Sequence, residues 1–115
     1  MARYTSSFVA KANLEQIPIL LCELVESCDF EVVYQATDYL MAREIPGQVP
    51  FSKLVTVEAL VESTAAQNNE VPVIFVIKND ELPLNPNNHC QQLFQKLQLA
   101  LKQSQEWRLI AAVAS

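Results

Sequence analysis

Hydrophobic and polar positions alternate most clearly in the middle of the chain. Over Phe51–Ser63, valine and alanine side chains fall on one face of an extended segment, and polar side chains fall on the other. Val71–Ile77 is apolar on both faces, which indicates a strand that is buried on both sides. The polar segment Thr64–Glu70 between them is short enough for a hairpin-like connection. The pattern therefore predicts a pair of strands that the remaining elements extend or cover.

A strand and a helix are predicted before this pair. Arg3–Lys11 alternates as a strand does. Asn13 is a suitable N-cap for the helix that follows, with Gln16 as a weak capping-box partner. Pro18 would remove a backbone hydrogen bond from a helix that began at Asn13. Two alternatives remain: a regular helix from about Ile17, or a helix with a distorted first turn.

The segment Phe30–Ile45 is rich in β-branched and aromatic residues, so it predicts strand rather than a second helix. We favour two strands, Phe30–Ala36 and Tyr39–Ile45, joined by a turn at Thr37-Asp38. One long bulged strand is the alternative, because this turn lacks the residues that two-residue hairpins prefer. Pro46-Gly47 then ends the second strand.

A second helix and a final apolar segment complete the chain. Asn85-Pro86 suits an N-cap followed by proline at the first helical position, which predicts a helix to about Gln103. Trp107–Val113 predicts a last strand or an apolar tail packed on the sheet. Because no linker or repeat divides the chain, we expect one domain over residues 1–115.

A consistent register can be proposed for the four central strands by pairing residue 36 with 39, 45 with 51, and 63 with 71. One face then carries Phe30, Val32, Tyr34, Ala36, Tyr39, Met41, Ile45, Val55, Val57, Ala59, Val61, Val71, Val73, Phe75 and Ile77. Only Arg43 and Lys53 interrupt this apolar face, near one corner. The pattern predicts an α+β fold in which two helices cover one face of an antiparallel sheet of four to six strands, in the order β-α-β-β-β-β-α-β.

The opposite face of the predicted sheet is mixed. It carries Glu31, Gln35, Glu44, Glu58, Glu62 and Lys78, but also Val33, Leu40, Leu54, Leu60, Ile74 and Val76. A fully solvated face would carry fewer large aliphatic side chains. We expect another subunit or a partner protein to cover part of it, with a chain terminus folded back over it as the alternative.

Composition limits which partners and which cellular compartment are expected for this protein. Half of the 115 residues are hydrophobic, the formal net charge is -5, and no basic run occurs. Nucleic acid and anionic lipid attract clustered cations, so neither is expected as a partner. No apolar run approaches the roughly 20 residues that span a bilayer. Three cysteines without C-x-x-C spacing are typical of free thiols in a reducing cytoplasm. These features predict a soluble cytoplasmic protein.

The residue types needed for the common chemistries are mostly missing. One glycine cannot build a phosphate-binding loop, and His89 is the single histidine, so neither a nucleotide site nor a zinc site is expected. Cys90 adjoins His89 on a helix, where neighbours point about 100° apart and cannot pair directly. Its place near a helix N-terminus favours a thiolate, while its place on the apolar stripe favours burial. We predict no catalytic residue, no metal and no cofactor.

Arg43 and Lys53 form the one candidate contact site on the apolar face. The predicted register makes them cross-strand neighbours, with Tyr34 and Tyr39 nearby. Two cations on an apolar surface could receive an acidic ligand or a partner's carboxylate. The alternative is that both side chains extend into solvent at the corner of the sheet.

Three resemblances accompany these patterns. The element order resembles the TBP-like and helix-grip topologies, in which helices grip a curved sheet. In its acidity and mixed sheet face the chain is similar to small secretion-type chaperones, which dimerise and hold a partner's apolar segment. The stretches P-G-Q-V-P-F-S-K-L-V-T-V-E (46–58) and V-I-K-N-D-E-L-P-L-N-P-N-N-H-C (76–90) resemble a group of small cyanobacterial proteins. That last resemblance covers most of the chain and implies no activity.

The sequence therefore predicts a non-enzymatic module that works by protein–protein contact, as a homodimer formed through Leu54, Leu60, Ile74 and Val76. The alternative is a small carrier of apolar or acidic ligands. Its pocket would lie between the sheet and the second helix, with Arg43, Lys53, Tyr34 and Tyr39 near the mouth. An enzymatic interpretation would depend on Cys90 alone.

Overall fold

The computed structural model describes residues 1–47, 49–82 and 88–114, apart from the side chains of Leu109 and residues 111–114. The described chain contains, in order, β1 (Ala2–Ala10), α1 (Ile17–Ser27), β2 (Phe30–Ala36), β3 (Tyr39–Glu44), β4 (Thr56–Val61), β5 (Val71–Asn79), α2 (His89–Gln103) and β6 (Trp107–Ala114). The strands form one antiparallel sheet in the order β2-β3-β4-β5-β1-β6. This confirms the predicted α+β fold and element order.

α1 begins where its proline allows it to. Asn13 caps a short 3-10 turn: its side chain accepts from the Gln16 amide at 3.2 Å, and its own amide donates to the Gln16 side chain at 3.3 Å. The α-helix itself starts at Ile17, which places Pro18 in the first turn, where a backbone donor is not needed. The capping box and the first of the two predicted alternatives are confirmed.

α2 begins at a double cap. The Asn88 side chain accepts from the Gln91 amide at 2.7 Å, while the Glu81 carboxylate accepts from the amides of His89 at 3.2 Å and Cys90 at 2.9 Å. Burial alone would raise the pKa of Glu81, but the hydrogen bonds from the Asn79 side chain and from these two amides lower it. The predicted cap at residues 85–86 lies outside the described residues.

Both helices pack against the same face of the sheet, called the covered face below. Their buried side chains belong to one core cluster together with the inward side chains of the strands. Phe8, Phe75 and Trp107 meet edge to face in this core, with ring centroids 5.5, 5.9 and 6.5 Å apart. Neither helix of the described chain has the length and apolar character required to cross a membrane.

The opposite side of the sheet, called the open face below, carries the alternate side chains of the strands. From the ladder these are Arg3, Thr5, Ser7, Val9, Glu31, Tyr34, Ala36, Tyr39, Met41, Arg43, Thr56, Glu58, Leu60, Pro72, Ile74, Val76, Lys78 and Arg108. None of the helices in the described chain packs on this face.

Two of the three predicted strand registers are confirmed. Val61 lies opposite Val73, which is the register that pairs residue 63 with 71. Ala36 lies opposite Tyr39, so two strands joined at residues 37–38 replace the alternative of one long strand. The third register was wrong, because Arg43 lies opposite Thr56 instead of residue 45 opposite residue 51.

The wrong register has its origin in the connection between β3 and β4. The predicted strand began at Phe51, but Phe51–Lys53 forms a 3-10 turn and β4 begins only at Thr56. The resulting shift by an odd number of residues exchanges the two faces of β3. Leu40, Ala42 and Glu44 are therefore buried on the covered face, while Tyr39, Met41 and Arg43 lie on the open face.

A bulge in β2 produces a second correction. The register shifts between Val32 and Tyr34, which moves Tyr34 to the open face and Gln35 to the covered face. The Gln35 side-chain amide donates to the carbonyl of Pro18 at 3.0 Å. Ala36 follows Tyr34 to the open face, and Ile45, predicted to face inward, is exposed beyond the end of β3.

Candidate functional site

The open face contains two neighbouring cross-strand rows that are largely apolar. Ladder pairing places Ala36, Tyr39, Leu60, Ile74 and Ser7 in one row, and Tyr34, Met41, Glu58, Val76 and Thr5 in the next. We call Tyr34, Ala36, Tyr39, Met41, Leu60, Ile74 and Val76 the apolar band. Leu60 is 42% exposed and Tyr34 is 58% exposed, so this band is only partly shielded within the monomer.

One carboxylate lies inside the apolar band, and both of its oxygens have donors. The Tyr39 hydroxyl donates to Glu58 Oε2 at 2.6 Å, and Lys78 Nζ lies 2.8 Å from Glu58 Oε1. The bonds from Lys78 and Tyr39 lower the pKa of Glu58. Partial burial and the bond to Glu58 raise the pKa of Tyr39 to about 12. At neutral pH this group is therefore an anion whose charge is matched by its own neighbours.

Charged residues of both signs lie on either side of the apolar band. On one side the next row contains Glu31, Arg43, Thr56, Lys78 and Arg3, and Lys78 is already paired with Glu58. On the other side lie Glu62, Glu70, Lys11 and Arg108, with Asp38 in the turn at the same end of the sheet. The Asp38 carbonyl accepts from the Val61 amide at 2.9 Å, and Glu70 lies 3.5 Å from Arg108, which joins these residues to the same end of the sheet.

The residues predicted for a dimer contact all lie on or beside this band. Leu60, Ile74 and Val76 belong to it, although Val76 is shielded by its neighbours. Leu54 precedes β4 at the corner next to Arg43. The structure thus gathers the four residues on one face, while their role in a dimer stays a prediction.

The residues predicted for ligand contact are not arranged as expected. Arg43, Tyr34 and Tyr39 lie on the open face, so they cannot line a pocket between the sheet and α2. The rings of Tyr34 and Tyr39 do meet, with centroids 6.0 Å apart. Lys53 is not a cross-strand neighbour of Arg43, because its 3-10 turn is held beside β5 by a bond from the Asn79 side chain to its carbonyl at 3.0 Å.

A cavity of about 410 Å³ does lie between α2 and the sheet, at the end of β3. Its lining is Cys28, Asp29, Glu44, Ile45, Pro46, His89, Leu93 and Lys96. Glu44 is the buried acid of this cavity: His89 Nε2 lies 2.8 Å from both of its oxygens, and the Val55 amide donates to it at 3.1 Å. At the rim, Lys96 and Asp29 form an ion pair at 2.9 Å.

The predicted candidates for thiol and metal chemistry are placed unfavourably. Cys90 is fully buried, and this burial raises its pKa to about 12, with the charges of Glu81 and Glu44 adding to the effect. Burial therefore outweighs the helix N-terminus, and the thiolate is not populated at neutral pH. Within the described residues, no three His, Cys, Asp or Glu side chains converge closely enough to hold a metal ion.

Comparisons with known proteins include a distant similarity to a solved structure. No protein-family model matches the chain, and no curated protein matches it. Among solved structures, the chain is similar to TTHA0849 from Thermus thermophilus, with 13% identity over 84% of this chain and 86% of that chain, and a TM-score of 0.37. A similarity at this level supports no conclusion about function. The resemblances to cyanobacterial proteins, to TBP-like and helix-grip topologies and to secretion-type chaperones stay predictions.

Proposed function

We propose that this chain is a non-enzymatic cytoplasmic module that acts through protein–protein contact and forms a homodimer through its open face. The observation that carries the proposal is the apolar band, which lies on a sheet face that no helix of the described chain covers. Aromatic and methionine side chains are enriched at the centres of protein interfaces. Tyr34, Tyr39 and Met41 supply them here.

The pairing of the Glu58 carboxylate within the band supports the proposal that a protein covers this face. Burying a carboxylate is costly unless it is paired and hydrogen-bonded. Glu58 already has Tyr39 and Lys78 as donors within the monomer. A second molecule can therefore cover this carboxylate without leaving its charge unpaired.

The remaining parts of the proposal follow from composition and resemblance. Free thiols at Cys22, Cys28 and Cys90 favour a reducing compartment. The secretion-type chaperones that the chain resembles in character hold a partner's apolar segment on their surface, and a further protein partner would use the same band. The resemblances to small cyanobacterial proteins and to TBP-like folds are consistent with this module and suggest no chemistry of their own.

Sedimentation velocity at high micromolar concentration tests the proposal directly. We expect a mass near twice 12.9 kDa. Leu60→Glu and Ile74→Glu should each place a charge in the centre of the interface and raise the Kd of the dimer by roughly 30-fold or more, while the monomer stays folded.

Leu99→Glu is the matched control, because Leu99 is also an exposed leucine but lies on the outer side of α2. It should leave the dimer intact. A wild-type chain that is monomeric at high micromolar concentration would contradict the proposal. So would a Leu60→Glu variant that dimerises as well as the Leu99→Glu control.

The cavity beside α2 favours a second candidate function, the binding of small molecules with an apolar body and an acidic group. Its volume of about 410 Å³ is within the usual range for small-molecule sites. Leu93 and Ile45 offer apolar walls, while His89 and Lys96 offer nitrogen donors. Both donors already face carboxylates of this chain, so a ligand acid would have to compete with them.

Thermal unfolding with millimolar decanoate or phenylacetate tests this second candidate. A ligand that binds the native state must raise the Tm. Leu93→Trp, which fills the cavity, should abolish the increase, whereas Leu99→Trp on the outer side of the same helix should preserve it. The same small effect with all three chains, or no increase at all, would exclude this function.

A further inference from the structure

The buried polar contact of the cavity beside α2 joins Glu44 and His89. His89 Nε2 lies 2.8 Å from both Glu44 oxygens, and the Val55 amide donates to the same carboxylate at 3.1 Å. The side chain of Glu44 is 6% exposed and that of His89 is 15% exposed. Because a carboxylate accepts and an N–H group donates, the proton of this contact is assigned to Nε2.

The second ring nitrogen of His89, Nδ1, is left for another molecule. No residue in the described part of the chain forms a hydrogen bond with Nδ1, and Nδ1 is not one of the buried polar atoms that lack a partner. It is therefore accessible to solvent, in a residue that lines the cavity. A neutral imidazole carries one proton, so with that proton on Nε2 the Nδ1 atom is an acceptor. Only the imidazolium form donates from both nitrogens.

The charges around His89 decide which form of the ring an acidic ligand needs. The titratable groups that line the cavity or flank His89 are Glu44, Asp29, Cys28, Glu81, Cys90 and Lys96. Burial raises the pKa of both thiols, so they are uncharged at neutral pH. Lys96 and Asp29 pair with each other at 2.9 Å, and Glu81 accepts from the backbone amide of His89 at 3.2 Å. A neutral His89 therefore leaves Glu44 without an opposite charge, and a ligand carboxylate would add a second uncompensated negative charge beside it.

We infer that this cavity binds an acidic ligand together with one proton, so that the ligand carboxylate accepts from Nδ1–H of His89 while Nε2–H stays on Glu44. The inference rests on the second candidate function, and it adds the residue that recognises the acid and the protonation state that this residue needs. The ligand brings one negative charge, and the proton, taken from solvent wherever the free ring is neutral, brings one positive charge. The ligand does not displace Glu44, because each carboxylate has its own ring nitrogen.

The affinity for an acid then depends on pH. As the pH rises, the imidazolium form is lost, and the Kd for an anionic ligand increases by up to about tenfold per pH unit. A ligand with a hydroxyl group in place of the acid needs no imidazolium, because a hydroxyl donates to the unprotonated Nδ1 and accepts from the protonated one. Its Kd should be nearly independent of pH.

Nuclear magnetic resonance titration of the full chain with phenylacetate and with phenylethanol tests the inference. Phenylacetate is ionised throughout the range from pH 6 to pH 8.5. We expect its Kd to be at least about tenfold higher at pH 8.5 than at pH 6, and that of phenylethanol to change by less than about twofold. His89 is the single histidine of the chain, so its ring signals are assigned directly. Saturation with phenylacetate should keep the ring protonated to a higher pH than in the free chain.

Two variants separate the ring of His89 from the rim of the cavity. In His89→Gln, the side-chain amide can still donate to Glu44 but does not titrate, so the Kd for phenylacetate should differ by less than about twofold between the two pH values. Lys96→Gln removes a cation at the rim, and lysine side chains stay charged throughout this pH range. Its Kd should rise by a similar factor at both pH values, so that the difference between them remains. Circular dichroism checks that both variants fold.

The outcomes separate this inference from the function on which it rests. An equal Kd for phenylacetate at both pH values would overturn the inference although the cavity binds an acid. So would a pH dependence that persists in His89→Gln, or binding of phenylethanol alone. If neither probe binds at any pH, the second candidate function fails and the inference fails with it. A tenfold difference that requires His89 supports both.

Discussion

The two faces of the central strands carry similar apolar residues but differ in what covers them. In β4 and β5, the covered face consists of fully buried apolar side chains such as Val57, Phe75 and Ile77. One residue away along each strand, Leu60 and Ile74 lie on the open face, where they share a surface with Glu58 and Lys78. Hydrophobicity alone does not separate these sets. The difference arises because the apolar stripes of α1 and α2 cover only one face, so that face stabilises the monomer, and the other is the face for which we propose association.

The largest effect is expected on the covered face. Phe75→Ala removes a buried ring that contacts Phe8 and Trp107, and it should lower the free energy of unfolding by about 3–5 kcal/mol. Ile74→Ala, the next residue along the same strand, removes a half-buried side chain from the open face and should cost about 1 kcal/mol in the monomer. Urea unfolding of both, at a protein concentration at which sedimentation velocity shows a monomer, measures the difference.

Equal losses of unfolding free energy for Phe75→Ala and Ile74→Ala would contradict the proposed difference between the covered face and the open face. They would mean that the open face contributes to the monomer as a core does, and that another part of the chain covers it. A retained difference, together with a larger effect of Ile74→Ala in the dimer, would assign the two sides of β5 to separate tasks.

Local patterns were sufficient to predict the elements and the register of the clearest pair. The β4–β5 register follows from the alternation of valines on both strands and from a short polar connection. The capping box at Asn13 and Gln16 was recognisable because it depends on residues three apart. In each case the interacting groups are near one another in the chain, so sequence spacing carries the information.

The arrangement of side chains on the open face could not be predicted in full, because it depends on features that residue spacing does not indicate. The connection before Thr56 and the bulge after Val32 each change the side-chain alternation. Pro46-Gly47 marks where the connection begins, but no residue type marks where β4 starts or where β2 bulges. Arg43 and Lys53 were the available signs, because a cation among predicted core positions indicates that the assigned face or the assigned strand is wrong. The contact of Glu44 with His89 joins residues 45 positions apart, and no periodicity in the sequence connects them.

A smaller difference in the free energy of unfolding is expected between variants of two carboxylates, Glu44 on the covered face and Glu58 on the open face. Glu44 is 5% exposed on the covered face, and Glu44→Ala leaves His89 and the Val55 amide without their acceptor. We expect this to lower the free energy of unfolding by about 2–4 kcal/mol. Glu58→Ala on the open face removes the carboxylate that Tyr39 and Lys78 contact, and water can take its place. It should lower the free energy of unfolding by about 0.5–1 kcal/mol.

The comparison of these two variants is made by urea unfolding at pH 7, again at a protein concentration at which the chain is monomeric. If Glu44→Ala is no more destabilising than Glu58→Ala, the hydrogen bonds of Glu44 do not stabilise the core. Glu44→Gln sharpens the result, since an amide oxygen can still accept from the Val55 amide while the negative charge is lost.

The smallest effect is restricted to alkaline pH and concerns Tyr39. Its pKa is raised to about 12 by partial burial and by the bond to Glu58. A group whose pKa is higher in the folded chain than in the unfolded chain stabilises the fold below the unfolded value. That contribution should therefore be complete below about pH 10 and disappear as the pH rises towards 12.

The ultraviolet absorbance of the phenolate, taken as the difference between wild type and Tyr39→Phe, isolates this titration. We expect its midpoint near pH 12 in a chain that circular dichroism shows to be folded. Glu58→Gln should move the midpoint towards 10 without reaching it, because the negative charge is lost while partial burial remains. A midpoint near 10 in the wild-type chain would mean that Tyr39 does not hold Glu58. The carboxylate would then be incompletely paired, and covering the apolar band with a second copy would carry the cost of a buried charge.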